Sequence, residues 1–292
     1  MVRVPGGRFM MGSSGFYPEE RPPHPVAVDS FWIDIHPVTN AEFRRFVDAT
    51  GYLTFSERVP DPKAYPDADP EMLAAGSLVF QKPSAPVSLR DYRAWWAYVP
   101  GANWRTPQGS CSDLTGRDDH PVVHVTYEDC LAYANWAGKS LPTEAEWEFA
   151  ARGGLEGAPY AWGDELLPNG RVMANTWQGR FPWENLLTDG FEGTSPVHAF
   201  PANGYGLHDM IGNVWEWTSS IYRSHAESAR VQAPKACCVP ERHATATERR
   251  VVKGGSHLCA PNYCLRYRPA ARQGEAIDTS TCHIGFRCVV KT

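Results

Sequence analysis

Two cysteines five positions apart, Cys259 and Cys264, lie in the segment Gly254-Gly255-Ser256-His257-Leu258-Cys259-Ala260-Pro261-Asn262-Tyr263-Cys264. The proline and the flanking glycines make this segment a turn rather than a helix, so the two thiols can approach each other. Soft thiolates suit Cu(I) or Zn(II). A pair with no conspicuous third and fourth ligand favours Cu(I), which accepts low coordination, over tetrahedral zinc. Spacing alone leaves a disulfide or two buried thiols open. The remaining cysteines are less pointed: Cys237-Cys238 is a vicinal pair, and Cys111, Cys130, Cys282 and Cys288 stand alone, where a buried thiol is the default. His257 and His283 flank two of the thiols but are not counted as ligands, because a lone histidine is more often a hydrogen-bonded residue.

A second chemistry is written in oxygen. Between Asn175 and Trp217, oxygen-bearing side chains sit among turn-forming glycines, as in Asn175-Thr176-Trp177-Gln178-Gly179, Asp189-Gly190-Phe191 and Asp209-Met210-Ile211-Gly212-Asn213-Val214-Trp215-Glu216. Hard cations take six to eight oxygens, many of them turn carbonyls, which makes calcium the natural candidate. Ordinary Asx-turn chemistry accounts for the same pattern. No EF-hand spacing, G-x-S-x-G, P-loop or dinucleotide fingerprint occurs to point to other chemistry.

The elements that must hold these residues are short. Val2–Val4, Phe9–Gly12, Val26–Val28 and Phe31–Ile33 read as strands separated by turn residues. Thr39 with Glu42 forms a capping box ahead of Phe43, Phe46 and Val47, and Gly51 stops that helix. Pro121–Val125 reads as a strand, after which Thr126 caps a helix through Tyr133 and Trp136 that ends at Gly138. Thr143 and Glu146 form another capping box, with Trp147, Ala150 and Ala151 on one face and Gly153-Gly154 as the stop. Residues 56–119, rich in Pro, Gly and Asp with no steady period, read as an extended insertion packed by its own aromatics, with the Trp95-Trp96 pair in the core. Helices cluster early and strands are scattered, an α+β arrangement with no boundary that splits off a second core; residues 1–292 read as one domain.

Composition removes several classes. Hydrophobic residues make up 42% and charged residues 21% of 292, a globular balance rather than a disordered one. With 25 Gly and 25 Pro, long uninterrupted helices have little room. The net charge of -5 and the lack of a Lys/Arg run argue against nucleic acid or an anionic membrane as partner. No stretch approaches the ~18 apolar residues of a membrane helix, and Met1 to Gly7 lacks the apolar region of a secretory signal, so a cytoplasmic location is expected. Eight cysteines are far too few for a disulfide scaffold of this length.

Taken in order, Pro5-Gly6-Gly7 with Met11-Gly12, Pro37-Val38-Thr39-Asn40, His120-Pro121-Val122, Leu141-Pro142-Thr143-Glu144-Ala145-Glu146-Trp147-Glu148, Asn203-Gly204-Tyr205-Gly206-Leu207, Gly212-Asn213-Val214-Trp215-Glu216-Trp217, Gly254-Gly255-Ser256 and Gly285-Phe286-Arg287-Cys288 resemble the sulfatase-modifying-factor family nearly end to end. The resemblance implies one compact α+β domain with little regular secondary structure, distantly related to C-type lectin-like domains. Within the family, formylglycine-generating enzymes are marked by two cysteines in a segment like Ser256 to Arg268, and this chain has both.

The resemblance further implies an oxidase that binds Cu(I) between Cys259 and Cys264. Such an enzyme uses O2 and a thiol reductant to convert a cysteine, within the Cys-x-Pro-x-Arg motif of an unfolded sulfatase, to Cα-formylglycine. Ser256, Tyr263 and Trp215 match positions that line the family's active site. Two structural calcium sites would map to the Asn175 side chain, Thr176 carbonyl, Asp189 side chain and Phe191 carbonyl, and to Asp209, Glu216 and the carbonyls of Gly212 and Val214. Asp209 replaces an asparagine common in relatives. The disulfide-partner positions of secreted relatives are Ala134 and Pro269 here, in keeping with a cytosolic, bacterial type, and a monomer is expected. Metal-free catalysis through Cys264 or Cys259, and a non-catalytic lectin-like module binding calcium or another ligand, are the alternatives.

Overall fold

The computed structural model describes residues 1–226 and 248–292; Cys237 and Cys238 lie outside the described residues. Three α-helices between residues 40 and 152 carry the local signals read above. Helix α1 (Asn40–Thr50) starts at the Thr39/Glu42 capping box and ends at Gly51, whose left-handed φ of 67° a side chain would resist. Helix α2 (Tyr127–Trp136) starts at Thr126, with Asp129 closing the box. Helix α3 (Glu144–Arg152) starts at Thr143/Glu146 and ends at Gly153. Their apolar faces meet in one core. Phe43 stacks on Tyr133 at 5.9 Å and stands edge-on to Trp104 and Phe286.

Among the described residues the strands form four small sheets. β1 (Val2–Val4) and β11 (Val289–Lys291) both pair antiparallel with β4 (Phe31–Ile33), so residues from the two ends of the sequence share one sheet. β2 (Gly7–Met11) and β3 (His24–Val28) make a hairpin. The largest sheet has the order β10-β7-β8-β9, from Ile284–Gly285, Trp215–Ile221, Arg249–Lys253 and Arg272–Ala276.

Two expectations are corrected. Residues 56–119 contain a regular hairpin, β5 (Gly76–Phe80) with β6 (Trp96–Pro100), and their aromatics do not pack only on one another. Trp95 is buried with Trp177, Phe181, Leu258 and Ala260, which come from elsewhere in the chain. Pro121–Val125 is not a strand. Its backbone bonds singly to Val38 and Thr281, and His124 adopts a φ of 61°, which breaks any extended ladder.

Helix α3 anchors the sheet that carries the cysteine segment. Trp147 donates from Nε1 to Glu216 on β7 at 2.8 Å. The buried Glu148 carboxylate accepts from Gly12 N, Arg152 and Lys253 Nζ, the last at 2.9 Å. Lys253 is the final residue of β8, and Arg272, the first of β9, pairs with buried Glu144 at 2.6 Å. A buried charge is tolerated only with partners of this kind, so the lattice specifies where β8 ends and the turn after it begins.

Candidate active site

β8 delivers the chain into Gly254 and Gly255, both with positive φ (94° and 69°). At Gly255 a Cβ would lie 2.8 Å from the backbone of Arg266 and Tyr267. The two glycines therefore let the entry and exit of the cysteine segment pass in contact. Inside the turn, Ser256 O accepts from Cys259 N at 2.9 Å, and Ala260 O accepts from Tyr263 N and Cys264 N. These bonds bring Cys259 Sγ and Cys264 Sγ to 2.9 Å, as free thiols rather than a disulfide. Cys259 is buried and Cys264 partly so.

The environment splits the pair. The hydrogen bond from Cys259, helped by the Arg266 guanidinium, outweighs burial and holds the Cys264 thiol below its usual value. Burial pushes Cys259 up, reinforced by its bond to Cys264. Two soft sulfurs on one rigid turn, one of them poised as thiolate, fit a low-coordinate Cu(I). Among the described residues no cluster of three or more His, Cys, Asp or Glu is arranged to hold an ion.

Ser256 is buried; its Oγ accepts from Leu258 N and its amide donates to Cys259 Sγ at 3.4 Å, so it shapes the turn. Tyr263 is 41% exposed. Its ring stacks on Phe181 at 4.6 Å and 8° and meets Trp95 edge-on at 5.5 Å, extending the second apolar cluster out to solvent beside Cys264. Trp215 opens β7, buried, with its amide on His283 O. His257 Nδ1 pairs with Asn213 O, and His283 Nδ1 with Thr281 Oγ1. Burial pushes both down, to about 4 and about 3, so both are neutral.

The oxygen-bearing turns also come together, with Asn175 O accepting from Asn213 N at 2.8 Å. Asn175 Nδ2 donates to Gly193 O. Asp189 Oδ1 accepts from Phe191 N, while its Oδ2 is buried with no partner. At the second group neither carboxylate oxygen of buried Asp209 makes a hydrogen bond of good geometry, although the His198 backbone and the Asn213 side chain lie close enough to favour its charge. Burial, with Glu216 adding to it and Arg287 opposing, pushes Asp209 up to about 7. Orphaned carboxylate oxygens beside left-handed turns are what a hard cation would satisfy. Glu216 differs: Arg287 grips it through Nε and Nη2 at 2.7 Å each and Trp147 donates to it, so it has less left to share.

Sequence reasoning missed the groups that brace the turn, namely Arg266, Arg268 and Arg272 with Glu19, Glu20 and Glu144. Their only signal was an unusual density of arginine just beyond Cys264.

The whole chain, residues 1–292, matches the model of the sulfatase-modifying factor enzyme 1-like domain. This chain belongs to the sulfatase-modifying-factor family. It is 57% identical over 293 residues to the Formylglycine-generating enzyme of Mycobacterium tuberculosis, covering 99% of this chain and 97% of that protein. It is also 39% identical over 296 residues to the Inactive C-alpha-formylglycine-generating enzyme 2 of Mus musculus, covering 99% and 84%. PvdO from Pseudomonas aeruginosa shares the fold, with a TM-score of 0.67, 25% identity, and coverage of 100% of this chain and 94% of that one. The expectation of one compact domain with few helices and small sheets agrees with that likeness. Family membership alone does not carry catalysis, since one relative is named inactive, so the reading of activity depends on the cysteine turn.

Proposed function

We propose that this protein is a copper-dependent oxidase, acting in the cytoplasm as a monomer, that converts a cysteine in the Cys-x-Pro-x-Arg motif of an unfolded sulfatase to Cα-formylglycine. The observation that carries this reading is the pair of free sulfurs, Cys259 and Cys264, 2.9 Å apart on a braced turn. Similarity to the mycobacterial enzyme supports the substrate class. Cys259 and Cys264 would hold Cu(I), which when bound supplies one-electron and dioxygen chemistry. Oxidation of the substrate side chain to an aldehyde, with release of hydrogen sulfide, yields two electrons. Reduction of O2 to water takes four, and a thiol reductant supplies the other two.

The chain's own residues orient and shield. Ser256 fixes the Cys259 sulfur through its amide, and the Tyr263, Phe181 and Trp95 rings offer an apolar wall next to Cys264. Such a wall excludes water and limits the poses of an extended peptide. Asn175, Thr176, Asp189 and Phe191, and Asp209, Gly212, Val214 and Glu216, would hold two structural calcium ions that lock the turns beneath.

The test is mass spectrometry of a Cys-Thr-Pro-Ser-Arg peptide incubated with protein, Cu(I), air and a thiol reductant, with Cys259→Ser as control. Aldehyde formation by the unmutated chain alone supports the proposal. Conversion that survives a tight Cu(I) chelator would instead favour metal-free thiol catalysis. No conversion by folded, copper-loaded protein would favour the binding-module reading.

A further inference from the structure

The cysteine turn is gripped from outside by a short piece of chain far away in sequence. Phe16 to Glu20, which crosses between β2 and β3, lies along Leu265 to Arg272 and bonds to it repeatedly. Tyr17 accepts from Leu265 N at 2.9 Å, and the Arg266 guanidinium sits over the Tyr17 ring at 3.9 Å. Arg268 covers the Phe16 ring at 3.6 Å and grips Glu20 through Nη1 and Nη2, with both side chains buried.

Within this latch, Arg266 divides its donors. Nε and Nη2 point to Glu19 Oε1 at 3.3 and 2.6 Å, leaving Nη1 on Cys264 Sγ at 4.0 Å. The guanidinium, a cation with several donors, serves a carboxylate and a sulfur at once in this way. Of the two sulfurs, the one that faces Arg266 is also the one nearer solvent, so it is the less constrained by its own packing.

We infer that Arg266, aimed by Glu19 and Tyr17, is a positioning residue for copper: it fixes Cys264 Sγ opposite Cys259 and offsets the negative charge of a dithiolate site. This rests on the copper reading above, and a binding measurement without turnover separates the two. Arrangements behind a metal's own ligands are commonly worth ten- to a hundredfold in affinity.

The experiment is anaerobic competition for Cu(I) against a colorimetric Cu(I) chelator, using the full chain, with thermal melting as a check on folding. Arg266→Met keeps an unbranched stem and removes the guanidinium, and it is expected to bind Cu(I) roughly ten- to a hundredfold more weakly. Arg266→Lys keeps the charge and is expected to recover most of that loss, which a purely structural role would not produce. Glu19→Gln, on the other side of the latch, tests the aim of the guanidinium and is expected to weaken binding several-fold. Arg266→Met binding as tightly as the unmutated chain, or Arg266→Lys falling as far as Arg266→Met, would overturn the inference. An unmutated chain that binds no Cu(I) removes the copper reading itself, a result distinct from either.

Discussion

Asp209 gives the sharpest handle on the calcium reading. Its carboxylate is 6% exposed, neither oxygen makes a hydrogen bond of good geometry, and burial outweighs Arg287, His198 and Asn213 to lift it from an ordinary value of 3.8 to about 7. A folded-state value above the unfolded one means that the folded chain holds the proton more tightly. Without a cation, stability is therefore lost as pH rises from about 3.8 to about 7, and the whole penalty is present above that. At about 1.36 kcal/mol for each pH unit, the displacement corresponds to about 4 kcal/mol. A cation bound to the folded state alone offsets this cost. The assay is thermal melting at pH 5 and pH 8, with calcium or with a chelator. Chelation is expected to lower the midpoint by roughly 8 °C or more at pH 8, and by less at pH 5. Asp209→Asn is expected to be more stable than the unmutated chain when both are chelated at pH 8, and to respond less to calcium. A midpoint at pH 8 indifferent to chelation, or an Asp209→Asn loss equal with and without calcium, would refute the reasoning.

Other outcomes follow from the buried ionic lattice and the helix starts. Removing the charge partner of fully buried Glu20 by Arg268→Met is expected to cost about 3–5 kcal/mol, read by urea unfolding. For Glu144, burial opposes ionisation, but His225, Lys253 and Arg272 outweigh it and hold the carboxyl at about 2 against an ordinary 4.5. Its stabilisation, on the order of 3 kcal/mol, is complete above pH 4.5 and lost as pH falls toward 2; Glu144→Gln should flatten the fall in urea midpoint between pH 5 and pH 3. Thr143→Ala removes the acceptor for Glu146 N and should cost about 1 kcal/mol by the same assay.

The helices were legible because their signals are local. Thr39, Thr126 and Thr143 each sit three residues before an acidic partner, and Gly51 and Gly153 supply the left-handed stops. Pro121–Val125 misled because a continuous apolar run does not reveal its backbone state, and His124 turns where a strand would extend. The β5–β6 hairpin was hidden because its strands are separated by a Pro- and Ser-rich stretch with no two-residue turn signature. At the site, residue type singled out Cys259 and Cys264, and only the fold reveals how Arg266 is aimed, since Glu19 lies 247 residues away.

The sheet that joins β1, β4 and β11 bears on how the chain is made. Ser30 and Thr292, 262 residues apart, share a hydrogen bond beside it, and Asp34 receives the amide of Cys288. On a ribosome, β1 and β4 emerge long before the third strand of their sheet. Until then the edge of β4 is unpaired and Val289, fully buried in the finished core, is missing. Native closure of this sheet thus waits for a strand far downstream and is dominated by distant pairings, which are slow to form and expose apolar surface in the interval. Expression yield in a heterologous host should depend on slowed synthesis or chaperone supply more than on the stability of the finished fold.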